Sequence, residues 1–206
     1  MQIDEIKLKI KAGFKEAIET AAFVIIMVIL IRFFIGEIRW IPSGSMRPTL
    51  IEGDRIFVER VSRFFTTPKR GDIMVFYPPM EPLDERPLAI FERLTGFFCK
   101  DIAYIKRVIG LPGDKILIKP DKSGEYKVFV NNKQLQEKYI LDNYDYIPCT
   151  ERMYCGPFTV PKDNYFMLGD NRGNSQDSRF WGFLPRERFV GKAVVLFWPF
   201  TRMKGL

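Results

Sequence analysis

The sequence predicts a mainly β protein: a single N-terminal transmembrane helix, followed by an all-β domain with a smaller inserted β subdomain. Three observations carry this prediction. An apolar run near the N-terminus is long enough to cross a bilayer. Beyond it, helical periodicity is scarce, and short runs rich in β-branched and aromatic residues alternate with Gly, Pro, Asn and Asp clusters. Between two groups of those runs lies a stretch with its own hairpin signal and a close pair of cysteines.

The first element reads AIETAAFVIIMVILIRFFIG over residues 17–36, uninterrupted apolar sequence over 21–31 with Glu19 and Arg32 near the ends, where charged side chains can snorkel. A cleaved secretory signal is the rival, because Lys7, Lys9, Lys11 and Lys15 resemble a positive n-region. FIGEIRWIP follows, however, and offers no small-x-small cleavage site. A buried helix of a soluble core fits poorly, since the run is apolar on every face. The four lysines put residues 1–16 in the cytoplasm and everything after Trp40 outside, although Arg32 and Arg39 weaken that bias.

DRIFVERV, GDIMVFY, YIKRVIG, DKILIKP, YKVFVNN and KAVVLFW read as strands. EYKVFVNNKQL reads as a hairpin whose Asn131 and Asn132 accept the positive φ of a tight turn. Residues 37–114 and 161–206 form the core on this reading, with 115–160 inserted between them. A long excursion begins at Pro78, and its LAIFERLTGFF portion fits either a short amphipathic helix on the membrane or an ordinary surface element.

Of the 206 residues, 32 are Lys or Arg and 25 are Asp or Glu, without any long basic run, so the balance suits an anionic membrane surface and argues little for nucleic acid. The chain has no histidine. With Cys99, Cys149 and Cys155 at spacings that fit no metal pattern, no metal and no cofactor are expected. Cys149 and Cys155 could be a disulfide or two free thiols.

IPSGSMRPTL carries two serines two residues apart. A serine hydroxyl needs a base, and without imidazole the remaining choices are a raised carboxylate or a lysine whose pKa is pulled down by burial. Lys106, in AYIKRVIGLPGD, has apolar strand surroundings: alternation groups it with Tyr104 and Val108 and turns Ile105 and Ile109 the other way. A lysine escaping to solvent at a strand edge is the ordinary alternative.

The ordered set SGSMRPTL, GDRIFVER, RGDIMVFYP, YIKRVIGLPGD and GDNRGNSQDSRFWG, behind a membrane anchor, resembles bacterial type I signal peptidase, a Ser-Lys protease family. The resemblance is weakest over residues 79–103 and 115–160. It implies a signal-peptidase-type β domain on a single-pass anchor in the cytoplasmic membrane, working outside on the signal peptides of preproteins, next to membrane phospholipid and with no nucleic acid. It makes Ser45 the nucleophile and Lys106 the general base, with the Ser43 hydroxyl and the Ser45 N–H as the oxyanion hole. Ser175 would hydrogen-bond and orient Lys106, while Asp177 and Arg179 pair to hold that loop and Arg107 supports it. GDNRGNS departs from the commoner GDNRDNS at Gly173, which touches loop rigidity and not chemistry.

The same resemblance implies cleavage after small residues at the positions one and three before the scissile bond, in shallow apolar pockets lined by Ile41, Pro42, Met46, Leu50 and Ile105. FWPF near the C-terminus and FFTTP at Phe64 suit lipid contact or burial equally. Two other functions compete. A self-cleaving repressor-type protease would need a DNA-binding domain where the anchor lies, and a catalytically inactive membrane-tethered β-module would bind preproteins or lipid without cutting them.

Overall fold

The computed structural model describes residues 2–95, 102–140 and 146–206. Helix α1 runs over Gln2–Phe34, so it begins well before residue 17. Its first half is rich in Lys and Glu, good helix formers, and a Lys15–Glu19 pair at 3.7 Å joins successive turns. The apolar stretch Lys11–Phe34, 24 residues, is long enough to cross a membrane at about 1.5 Å per residue. Its large side chains, Phe23, Ile25 and Ile26 among them, are exposed.

The chain then enters β1 (Gly36–Trp40), β2 (Arg55–Glu59), the short α2 (Ser62–Phe65), β3 (Ile73–Phe76), α3 (Pro87–Thr95) and β4 (Tyr104–Gly110). Next come β5 (Lys115–Pro120), β6 (Tyr126–Val130), β7 (Lys133–Gln134) and β8 (Phe158–Thr159). The last group is β9 (Asn164–Leu168), the one-turn α4 (Ser178–Trp181), β10 (Leu184–Pro185), β11 (Phe189–Trp198) and β12 (Lys204–Gly205).

These strands form two sheets. The larger has the order β1-β2-β11-β3-β4-β9-β10, with β12 also on β11, and the smaller has the order β7-β6-β5-β8. All recorded pairings are antiparallel, as expected for strands joined by turns and short returns. At the β6–β7 hairpin Asn131 and Asn132 take φ of 51° and 65°, the left-handed region that asparagine tolerates best after glycine. The smaller sheet lies wholly within residues 115–159.

Every strand texture named in the sequence became a strand. The short β1, β8, β10 and β12 were not anticipated, because two to five residues carry too little periodicity. In the excursion after Pro78, α3 is helical with Leu88, Ile90 and Phe91 exposed; residues 96–101 lie outside the described part, so LAIFERLTGFF is seen only to Thr95. Arg32 Nε donates to the Thr95 carbonyl at 3.0 Å and Arg60 Nη2 to that of Arg93 at 2.9 Å, which fastens α3 beside the end of α1. Cys149 and Cys155 are joined as a disulfide, and Cys99 is outside the described residues.

Strand β4 decides where the chemistry sits. It lies between β3 and β9, and six of its seven residues are buried. Ile105 packs into a core cluster with Ile41, Met46, Leu50 and Ile56, Val108 joins Met74, Phe76 and Tyr165, and Ile109 joins Ile116 and Phe166 of a third cluster. A lysine in the middle of such a strand has little water within reach.

Candidate active site

Lys106 stands opposite Met74 across the β3–β4 pair and is 4% exposed. Its Nζ lies 2.9 Å from the Ile105 carbonyl and 2.7 Å from Ser45 Oγ. Burial pushes the Lys106 ammonium down from 10.5 to about 8, while the carboxylates of Asp177 and Asp170 pull the other way. The neutral amine is therefore accessible near neutral pH, and its lone pair can accept the Ser45 proton across that short contact.

Ser45 occupies a single helical turn, Gly44–Met46, in the loop between β1 and β2. Met46 and Leu50 bury their side chains beneath the turn and fix it to the core. From the other side, Asn171 donates its backbone N–H to the Ser45 carbonyl at 3.1 Å and its Nδ2 to the Gly44 carbonyl at 3.0 Å. The Ser43 hydroxyl is 3.5 Å from Ser45 Oγ.

The loop after β9 is locked by two buried ion pairs. Asp177 receives Arg179 Nε and Nη2, both at 2.8 Å, and also the Gly169 N–H at 3.1 Å, so one carboxylate joins α4 to the end of β9. Asp177 also caps α4 by accepting the Arg179 N–H. Arg107 donates to Asp170 from Nε at 2.8 Å and Nη2 at 2.6 Å, and Thr49 Oγ1 meets the same carboxylate at 2.5 Å. Arg107 is thus no solvated strand charge; it ties β4, the nucleophile loop and residue 170 together through bidentate geometry.

One expectation needs correcting. The Ser175 hydroxyl is buried but makes no hydrogen bond among the described residues, so the expected bond to Lys106 is not formed. It faces Gly169, where an added Cβ would stand 2.1 Å from Ser175 Oγ and 2.5 Å from the Ser45 carbonyl; Gly169 alone lets the two serines approach. Of the five expected pocket residues, Ile41, Met46, Leu50 and Ile105 are buried together in one core cluster and Pro42 is exposed.

Gly169, Asp170 and Asn171 were missed as separate contributors. They lay in view inside GDNRGNS, but nothing local in that string tells which groups reach 120 residues back to the loop after β1. Among the described residues no cluster of His, Cys, Asp and Glu could hold a metal ion.

The family model described as signal peptidase, peptidase S26, matches residues 14–198. Signal peptidase I of Leptolyngbya laminosa is 41% identical over 191 residues, 93% of this chain and 83% of that protein. Probable signal peptidase I-2 of Synechocystis sp. is 41% identical over 187 residues, 90% of this chain and 73% of that one. Thylakoidal processing peptidase 1, chloroplastic, of Arabidopsis thaliana is 37% identical over 180 residues, 87% of this chain and 47% of that protein. On a match that runs from within α1 to the end of β11, the chain belongs to the signal peptidase family, peptidase S26, a family of hydrolases.

Proposed function

We propose that this chain is a membrane-bound serine endopeptidase that removes N-terminal signal peptides from exported preproteins, with Ser45 as nucleophile and Lys106 as general base. The observation that carries the reading is the 2.7 Å contact between a buried amine and a serine hydroxyl on a pinned turn. Neutral Lys106 takes the Ser45 proton as Oγ attacks the scissile carbonyl, and the Ser43 hydroxyl and Ser45 N–H hold the resulting oxyanion. The Lys106 ammonium then protonates the leaving amine. Neutral again, it takes a proton from the water that attacks the acyl ester and returns that proton to Ser45 Oγ.

Asp177, Arg179 and Arg107 keep the lysine and the nucleophile in register. Pro42 at the surface, with the buried Ile41, Met46, Leu50 and Ile105 behind it, forms the apolar walls that admit only small side chains one and three residues before the cut. The extended preprotein pairs with strand edges beside Ser45. Helix α1 crosses the membrane with the N-terminus inside, and the catalytic domain sits on the outer face of a bacterial cytoplasmic membrane, as the four early lysines suggest. Exposed Trp40, Phe65 and Phe200 are available to the lipid surface.

An inactive preprotein-binding module is the competing reading, and one assay separates them. Full-length protein in detergent should release mature product from a synthetic preprotein, and Ser45→Ala and Lys106→Ala should each reduce release to background. A folded wild-type chain that releases none, or either variant with full activity, removes the assignment. In sealed spheroplasts, external protease should digest the region after Trp40.

A further inference from the structure

A cavity of about 470 Å³ opens between α2 and β11, away from Ser45. Arg63, Lys69, Arg186 and Lys192 line it, against two carboxylates, Glu59 and Asp72. Both carboxylates are already engaged. Glu59 accepts the Ser62 N–H at 2.9 Å and the Ser62 hydroxyl, while Asp72 accepts Lys192 Nζ at 2.7 Å and the Lys69 N–H at 2.8 Å. Arg63, Lys69 and Arg186 have no carboxylate partner among the described residues.

Arg63 is the most telling of these cations. Its Nε is buried without a hydrogen-bond partner, and its Nη1 reaches only the Val190 carbonyl, at 3.5 Å. Its guanidinium sits 4.5 Å from the Phe64 ring centre and 5.9 Å from that of Phe33, in the last turn of α1. Burial, with Arg60 nearby, pulls the guanidinium down to about 10, while Tyr77 and Glu37 pull the other way. Phe65, 81% exposed, stands at the cavity wall.

The position identifies the kind of anion. Glu59, on the cavity wall, pairs with Gly36, two residues after α1 ends. If α1 spans the bilayer, the cavity therefore lies at headgroup depth. An anion there would meet three cations that have no carboxylate partner among the described residues, Arg186 donating only to the Thr66 carbonyl at 3.1 Å, with aromatic surface beside it for glycerol and the first methylenes. We infer that this cavity is a binding site for the phosphate of an anionic phospholipid, with Arg63 and Lys69 as its principal ligands. The inference rests on the membrane reading of α1 given above.

Full-length protein in a neutral detergent is titrated with dihexanoyl phosphatidylglycerol, dihexanoyl phosphatidylcholine and inorganic phosphate, following Tm. Phosphatidylglycerol should raise Tm saturably while the other two leave it unchanged, and Arg63→Gln and Lys69→Gln should each weaken that response about tenfold, as for a lost charge-assisted hydrogen bond. Lys69 is exposed, so its variant should fold even if Arg63→Gln does not. An equal response to phosphatidylcholine, an equal response to inorganic phosphate, or variants that titrate like wild type would each overturn the site. Retention of the chain in alkali-washed membranes tests the anchor separately, so a retained chain without a lipid response refutes only the site.

Discussion

Gly169→Ala adds one methyl group where the two serine-bearing loops touch. Its Cβ would lie 2.5 Å from the Ser45 carbonyl and 2.1 Å from Ser175 Oγ, and real contacts of this kind essentially never fall below 3.0 Å. The Ser45 carbonyl must then retreat by about 0.5 Å, pulling on the Asn171 N–H that holds it and shifting the hydroxyl off the Lys106 amine. Misplacement of about 1 Å at a reacting centre costs roughly 100-fold, so a loss of about tenfold or more in kcat is expected. Overpacking at a buried position should also cost roughly 1–3 kcal/mol, or about 2–12 °C in Tm. The assay is kcat and KM on a synthetic preprotein, with Tm measured on the same samples. Gly169→Ala combined with Ser175→Gly relieves one clash and leaves the other, so stability should partly return while kcat stays low. A Gly169→Ala protein with kcat within about twofold of wild type and unchanged Tm would refute the reasoning.

Arg107→Ala leaves the fully buried Asp170 without its cation and should destabilise by about 3–5 kcal/mol, read as a lower urea midpoint. Lys106→Met bears on the burial of the amine through stability alone. The folded value of about 8 lies below the ordinary 10.5, so the unfolded chain binds the extra proton between those values and wild-type stability rises with pH there. Below pH 8 the buried ammonium costs the fold about 3 kcal/mol, so Lys106→Met should be the more stable protein at pH 7 and lose that advantage by pH 10.5. A gap that stays constant across the window contradicts burial as the cause. Ser175→Ala should change neither Tm nor kcat by much, because the hydroxyl it removes has no partner in the fold; a several-fold loss of kcat would contradict that arrangement.

Much of the architecture was legible because it depends on local pattern. The strand textures, the Asn131–Asn132 turn and the apolar helix are all written in short windows, and the absence of histidine pointed to a buried lysine. What stayed hidden depends on distance along the chain. Asn171 reaches the Gly44 carbonyl across 127 positions and Arg107 meets Asp170 across 63, and neither contact leaves a periodic trace. Nor does pattern tell that Ile41, Met46, Leu50 and Ile105 share one buried cluster while Pro42 is exposed, since only packing separates apolar residues near a nucleophile. The cavity beside α2 was invisible for the same reason, its cations coming from separate parts of the chain.

The central claim is that Lys106 works as a neutral base, and the pH dependence of kcat/KM tests it most directly. With a value of about 8, about one lysine in ten is neutral at pH 7, against about one in 3000 at the ordinary 10.5. The rate should therefore climb tenfold per pH unit at low pH and level off near pH 8. A profile still climbing at that slope through pH 10 would contradict the account.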